Sequence, residues 1–377
     1  MGTYKVLPPL GKLIYPSTPQ PFHYLVRTGV INRLNCCYYN EPLNNKIMKP
    51  SIKTITVSFL LAIGLFTACK KNEPILPATT NTSTNTDHYS SLQDFFAKNG
   101  VPLQTYTVNG NSGGNFTTPQ GTKVIVPANC FIDKLGNPVT GNVTIQFKDI
   151  YAKSDMLLSN MTTMYYQTPL KSGGEFFIKA IANGGEVSLN GLADIKVIQP
   201  LNGWALDNNM TAFNAQAPDT SGVRNWTIDS VGSYVKDTLA SYMCSVHAFD
   251  YPVDSGTWCN TDRAGFFGTE TQFMAQTIDD SINWGSHSTC SVFLLFKGVN
   301  TIIYCEYSQY SGTTTIFPYN YAPLGYQCTI VAVEVRKNGQ LRCAFVPTTI
   351  TANGTVNFSC TPTTTANFIA QLNTYNH

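Results

Sequence analysis

Apolar and polar residues alternate along Val143-Thr144-Ile145-Gln146-Phe147-Lys148, the pattern of a strand with one face on a core and one in water. Thr122-Lys123-Val124-Ile125-Val126-Pro127 reads the same way, and so do Glu175–Ile181, Glu186–Leu189 and Ile195–Gln199. Met156–Gln167 is also expected to be extended. Gly-Asn, Gly-Gly and Asn-Gly pairs separate these runs, and several short strands at such spacing predict a β-sandwich of about 100 residues. A second strand-rich block runs from about Tyr242 to Cys360. Within it Val331, Val333 and Val335 alternate, Asn338-Gly339 breaks the chain, and Leu341–Val346 returns; Asn-Gly is a strong two-residue hairpin signal.

Helical period survives at the two ends of this region. Ser90 three residues before Gln93 makes a capping box, Leu92, Phe95 and Phe96 share one face, and Gly100 is the stop. Thr365–Leu372 predicts a small closing helix with Phe368, Ile369 and Leu372 inward. The expected fold is all-β: two β-sandwich-like domains, 89–200 (with its short leading helix) and 242–377, joined by a poorly patterned linker, 201–241.

Upstream, the pattern changes kind. Lys49 and Lys53 precede an uncharged run, Thr54–Phe66, that ends in Leu65-Phe66-Thr67-Ala68-Cys69. A membrane-spanning helix needs about 20 apolar residues, so this run fits the apolar core of a secretion signal. Small residues before a cysteine resemble the lipobox of bacterial lipoproteins. That resemblance implies acylation of the Cys69 thiol and cleavage in front of it, making 48–68 the signal peptide. Two or three acyl chains anchor stably where one binds reversibly. Thr- and Asn-rich 69–88 then reads as a tether. Residues 1–47, with Met48 as a natural start behind them, are expected to be a non-native upstream extension that stays out of the core.

The strand opening Thr118-Pro119-Gln120-Gly121-Thr122-Lys123-Val124-Ile125-Val126-Pro127-Ala128 and Gly141-Asn142-Val143-Thr144-Ile145 is similar to the ZU-five-type β-sandwich module. Met156–Asn160 and Ser172-Gly173-Gly174-Glu175-Phe176-Phe177-Ile178 look like its bacterial surface-lipoprotein version. There a second block carries a Trp-Asn-Cys-Asp-Arg-like signature, which this chain varies as Trp258-Cys259-Asn260-Thr261-Asp262-Arg263. The resemblance implies fold, compartment and a bias toward interaction, and no catalytic residues.

Composition narrows function mainly by exclusion. Hydrophobic residues are 43% of the 377, charged residues only 12%, and the net charge is +2. A typical domain is roughly 25% charged, and nucleic-acid binding wants clustered Lys and Arg, so no nucleic-acid partner is expected. No His-Glu-x-x-His pair or P-loop occurs. Asp207-Asn208-Asn209 and Asp279-Asp280 read as solvated turns rather than calcium loops. No cofactor and no metal are expected. The candidate binding residues are Trp258, Asn260, Asp262 and Arg263, where an indole could stack a ligand ring beside an Asp and an Arg; the competing reading is a packed corner of the sandwich.

Setting aside Cys36, Cys37 and Cys69, eight cysteines remain in the folded region, an even number in an exported chain. A two-residue turn at Asn338-Gly339 would leave Cys328 and Cys343 about six residues out of register, near 20 Å apart and beyond disulfide reach. A turn at Lys297-Gly298 would set Cys290 opposite Cys305, a candidate bridge to be weighed against two small buried thiols.

The leading expectation is a lipid-anchored envelope protein, in the outer membrane or at the cell surface, with a non-catalytic structural or binding role. Its partners would be the membrane, through the lipid, and a glycan or another surface protein. A glycan-binding or adhesive module is the alternative, given 20 Tyr and 4 Trp; a hydrolase whose acid pair meets only in three dimensions is the second.

Overall fold

The computed structural model describes residues 87–218, 224–229, 234–237, 241–249, 256–277, 290–306, 309–311 and 314–377. The upstream extension, the signal, Cys69, the tether before Asp87, and Asp279-Asp280 lie outside the described residues. Among the described residues the body is all-β, with three short helices among many strands.

Four larger sheets build it. The central sheet runs, edge to edge, Gln104–Asn109, Asn142–Ile150, Lys171–Ala182, Thr257–Arg263, Thr211–Ala215, Trp226–Ile228, Met164–Tyr165 and Thr168–Pro169. A covering sheet is ordered Tyr234–Asp237, Ser241–Val246, Ile195–Pro200, Lys123–Val126, Gly114–Thr117. Alternation does what it should here: Val143, Ile145, Phe147, Phe176, Ile178 and Ala180 from the central sheet meet Val124, Ile195, Val197 and Cys244 from the cover in one buried core.

The second core lies over the other sheets. Ile302–Cys305, Cys290–Phe296, Gln327–Val335, Leu341–Thr349 and Thr361–Pro362 form one; Gln309–Ser311, Thr314–Pro323, Glu270–Thr277 and Gly354–Phe358 form the other. Every residue of Cys290–Phe296 is buried, which explains its unbroken apolar run. Helix α1, Leu92–Asn99, buries Leu92, Phe95 and Phe96, with the Phe96 ring 6.4 Å from Phe293.

Several expectations need correction. The cap of α1 is Ser91, whose hydroxyl accepts from Asp94 N at 3.1 Å, while Ser90 N donates to the Asp94 carboxylate at 2.9 Å. A charged acceptor in the first turn thus takes the role expected of Gln93. Met156–Gln167 is not one strand: Lys153–Leu158 is helix α2, followed by two-residue strands at Met164 and Thr168. Met-Leu-Leu has no alternation, and all three side chains are buried. The hairpin near Asn338 closes through Arg336 N to Gln340 O at 3.0 Å; three residues turn, and Gly339 alone takes positive φ, +79°. Cys328 pairs with Thr348 and Cys343 with Val333, so those two thiols are indeed far out of register.

Residues 201–241 are not a passive linker. They supply Thr211–Ala215, Trp226–Ile228 and Tyr234–Asp237 to two sheets, and Trp226 is fully buried with Nε1 donating to Thr162 O at 2.5 Å. Nor does a boundary at 241/242 separate two sheets, because Thr257–Arg263 sits between Lys171–Ala182 and Thr211–Ala215. The terminal helix α3 is Thr365–Asn373, with Phe368 and Leu372 buried and Ile369 only partly so.

Cys305 stands opposite Val292, two residues along from Cys290; both are buried and no disulfide joins them. The expected facing pair fails because the turn is longer than two residues. Phe296 N bonds Thr301 O at 3.2 Å, and the extra residues are used elsewhere: Asn300 Nδ2 donates to Tyr151 O at 3.0 Å and Thr301 Oγ1 to Leu170 O at 2.8 Å.

Candidate functional site: a buried carboxyl pair at a bulge

The four residues singled out in Trp258–Arg263 do not converge on a ligand surface. Trp258 is half-buried, with Phe177 packed on it at 5.3 Å, Lys148 Nζ 5.9 Å from its ring centre and the Arg224 guanidinium 5.7 Å away. Asn260 and Asp262 are fully buried. Arg263 turns away from Asp262 and joins Asp207, Nη1 to Oδ2 at 3.1 Å, alongside Lys171 Nζ at 2.7 Å. The Phe266 ring lies under both cations, 5.4 Å from Arg263 and 4.9 Å from Lys171. Asp207 is buried rather than solvated. Burial pushes its carboxyl up, but Lys171, Asn209 N–H and Arg263 outweigh it and hold the group below the usual carboxylate range.

What the strand does bring together is a set of buried oxygens. Asn260 faces Glu175 and Asp262 faces Ser172, so Gly173 and Gly174 together oppose Thr261, a β-bulge. The bulge requires glycine: Gly174 has φ +124°, and a Cβ there would lie 2.3 Å from Tyr151 Cδ1. Directly opposed residues share a face, so Glu175, Asn260, Asp262 and Ser172 all lie on one side. Ser172 Oγ donates to Asn260 Oδ1 at 3.1 Å, and Asn260 Nδ2 donates to Asp262 Oδ2 at 2.6 Å. Neither oxygen of Glu175 nor Oδ1 of Asp262 has a hydrogen-bond partner. Burial, then the charge of Asp262, pushes the Glu175 carboxyl well above its ordinary range. Burial does the same to Asp262, opposed in part by the Ser172 hydroxyl and Gly173 N–H.

The loop after Cys290–Phe296 reaches this cluster. Ser172 N donates to Asn300 O at 2.8 Å and Asn300 Nδ2 to Ser172 O at 3.3 Å, which leaves Asn300 Oδ1 buried and unpartnered. Lys153, at the start of α2, holds the same loop through Nζ to Phe296 O at 2.5 Å and Val299 O at 3.3 Å. On the opposite face of the central sheet the polar groups are satisfied. Thr261 Oγ1 donates to Gln199 Oε1 at 2.6 Å and Gln199 Nε2 to Gly174 O at 3.0 Å. Asp149 accepts from Thr118 at 2.6 Å and Thr122 at 2.5 Å.

Glu175 and Asp262 therefore form an acid pair, but one with no exposed surface. Such a pair can hold protons or a cation; a polymer cannot reach it. A His–Asp pair also exists, His247 Nδ1 to Asp194 Oδ1 at 2.8 Å, on the surface. An open groove of about 500 Å³ lies elsewhere, lined among others by Phe296, Gln327, Cys328, Thr348, Tyr375 and His377. Burial pushes the Cys328 thiol up to about 12, so it stays protonated and unreactive near neutral pH.

Comparison with family models, with curated proteins and with solved structures gave no match. The residues that sequence reasoning missed are Glu175, Asn300 and Lys153. Glu175 carried a signal: an acidic residue opening the apolar run Phe176-Phe177-Ile178 behind two glycines. Asn300 and Lys153 had none, since only the fold turns them inward.

Proposed function

We propose that this chain is a lipid-anchored cell-envelope protein, in the outer membrane or at the cell surface, whose β-sandwich body has a non-catalytic structural or binding role. One observation carries the proposal: a basic start, an uncharged run too short to span a bilayer, and Leu65-Phe66-Thr67-Ala68-Cys69, followed by an uncharged polar tether. The strand-built body that begins after the tether agrees with it, as does the ZU-five-like opening at Thr118–Ala128. The test is radiolabelled palmitate in cells producing the full chain or Cys69→Ala. Label and membrane association are expected for the first and lost in the second. Equal labelling of both discards the anchor.

The groove favours glycan binding as a second reading. Thr329, Thr348, Thr349, Thr374 and Gln327 line it together with Tyr375 and His377, a lining of hydroxyl, amide and ring groups suited to a neutral saccharide. The indoles lend less support, because the Trp204 ring is taken by Lys153 at 5.6 Å and His377 at 5.6 Å. A glycan array probed with the wild type and with Thr348→Trp, which fills the groove, decides it: binding lost on filling supports this reading, and a blank array removes it.

A further inference from the structure

We infer that the Glu175–Asp262 cluster is a binding site for a hard divalent cation, Ca²⁺ being the best fit. Four side-chain oxygens are buried there with no hydrogen-bond partner: Glu175 Oε1 and Oε2, Asp262 Oδ1 and Asn300 Oδ1. Buried polar atoms in native folds are nearly always satisfied, and an orphan calls for a proton, a water or an ion. Protons alone leave the defect in place. One proton shared between Glu175 and Asp262 would serve two of the four oxygens and leave Asn300 Oδ1 and the second Glu175 oxygen without a donor.

Charge argues the same way. No described Lys, Arg or His forms an ion pair with Glu175 or Asp262, and Lys153, bound to the neighbouring loop, gives its hydrogen bonds to backbone carbonyls. Two carboxylates balance one divalent cation. No group of three or more His, Cys, Asp or Glu gathers among the described residues, so the remaining ligands are neutral oxygens. Oxygen-only, irregular donor sets suit Ca²⁺, which takes six to eight ligands flexibly, better than Mg²⁺, which demands an octahedron, or thiolate- and imidazole-seeking Zn²⁺. The donors come from a bulged strand, its neighbour and a facing loop, so the ion would pin Asn300 to the central sheet. This departs from the sequence expectation of no metal, which rested on the absence of a contiguous calcium motif.

The test uses the full chain, purified with and without EDTA. Bound metal is read by plasma mass spectrometry and the melting midpoint is titrated with CaCl₂, MgCl₂ and NaCl. About one Ca²⁺ per chain is expected, with a midpoint raised roughly 5 °C at a hundredfold excess over Kd, more weakly by Mg²⁺ and not by Na⁺ at equal ionic strength. The isosteric variant Glu175→Gln/Asp262→Asn loses the response. If it does not fold, Asn300→Asp carries the placement, because a third carboxylate lowers the half-saturating Ca²⁺ roughly tenfold. No bound metal and no Ca²⁺-specific shift in the wild type overturns the site; so does a response kept by the folded double variant or unmoved by Asn300→Asp.

Discussion

Lys153 offers a quantitative test of how the two cores are joined. Its side chain is fully buried, and Nζ spends its protons on two carbonyls of one loop, Phe296 O and Val299 O, with no carboxylate partner. Burial pulls its pKa down from 10.5 to about 8. Below pH 8 the amine is charged folded and unfolded alike. Between 8 and 10.5 the unfolded chain keeps a proton that the folded chain has released, so stability rises with pH. At 1.36 kcal/mol per tenfold the full gain is ~3.4 kcal/mol, of which about 2.5 kcal/mol falls between pH 7 and pH 10. Lys153→Met keeps the apolar stem and removes the titration. Urea denaturation of both proteins across that range should show the wild type gaining on the variant by about 2.5 kcal/mol. Curves that run parallel from pH 7 to 10 would refute the buried, unpaired ammonium.

Two further substitutions probe the fold. Trp226→Ala empties a fully buried site and strands Thr162 O; a loss of ~3–5 kcal/mol is expected in chemical denaturation, and a loss under ~1 kcal/mol would return 201–241 to the status of a linker. Gly174→Ala sets a Cβ 2.3 Å from Tyr151 at φ +124°; the melting curve should report at least ~2 kcal/mol of destabilisation, and a near-neutral result would mean that the bulge is free to relax.

Much of the strand content was legible because alternation reports local burial directly, as Val143–Lys148 illustrates. Helix α1 was legible to within one residue for a similar reason: its cap and its Phe95-Phe96 face are local. Sheet order was not, since a strand's pattern names its face and not its neighbour. Thr257–Arg263 looks like any half-buried strand until Glu175 and Thr211 are seen on either side. The Asp262 motif was noticed, but its partner Glu175 lies far upstream, and only the Gly173-Gly174 bulge sets them on one face. Cys290 and Cys305 failed for a subtler reason: the turn between them is lengthened to deliver Asn300 and Thr301 to other elements, a tertiary demand that turn chemistry cannot anticipate.

The insertion of Thr257–Arg263 into the middle of the central sheet has a consequence in time. Lys171–Ala182 leaves the ribosome with one edge unsatisfied, and its partner follows only after about 75 further residues, roughly 4–15 s at 5–20 residues per second. Throughout that delay the central sheet stays open along Lys171–Ala182, although every strand of the covering sheet is made before Thr257. Closure of the central sheet therefore waits on synthesis, and whatever acts on the unfolded chain has that interval in which to do so.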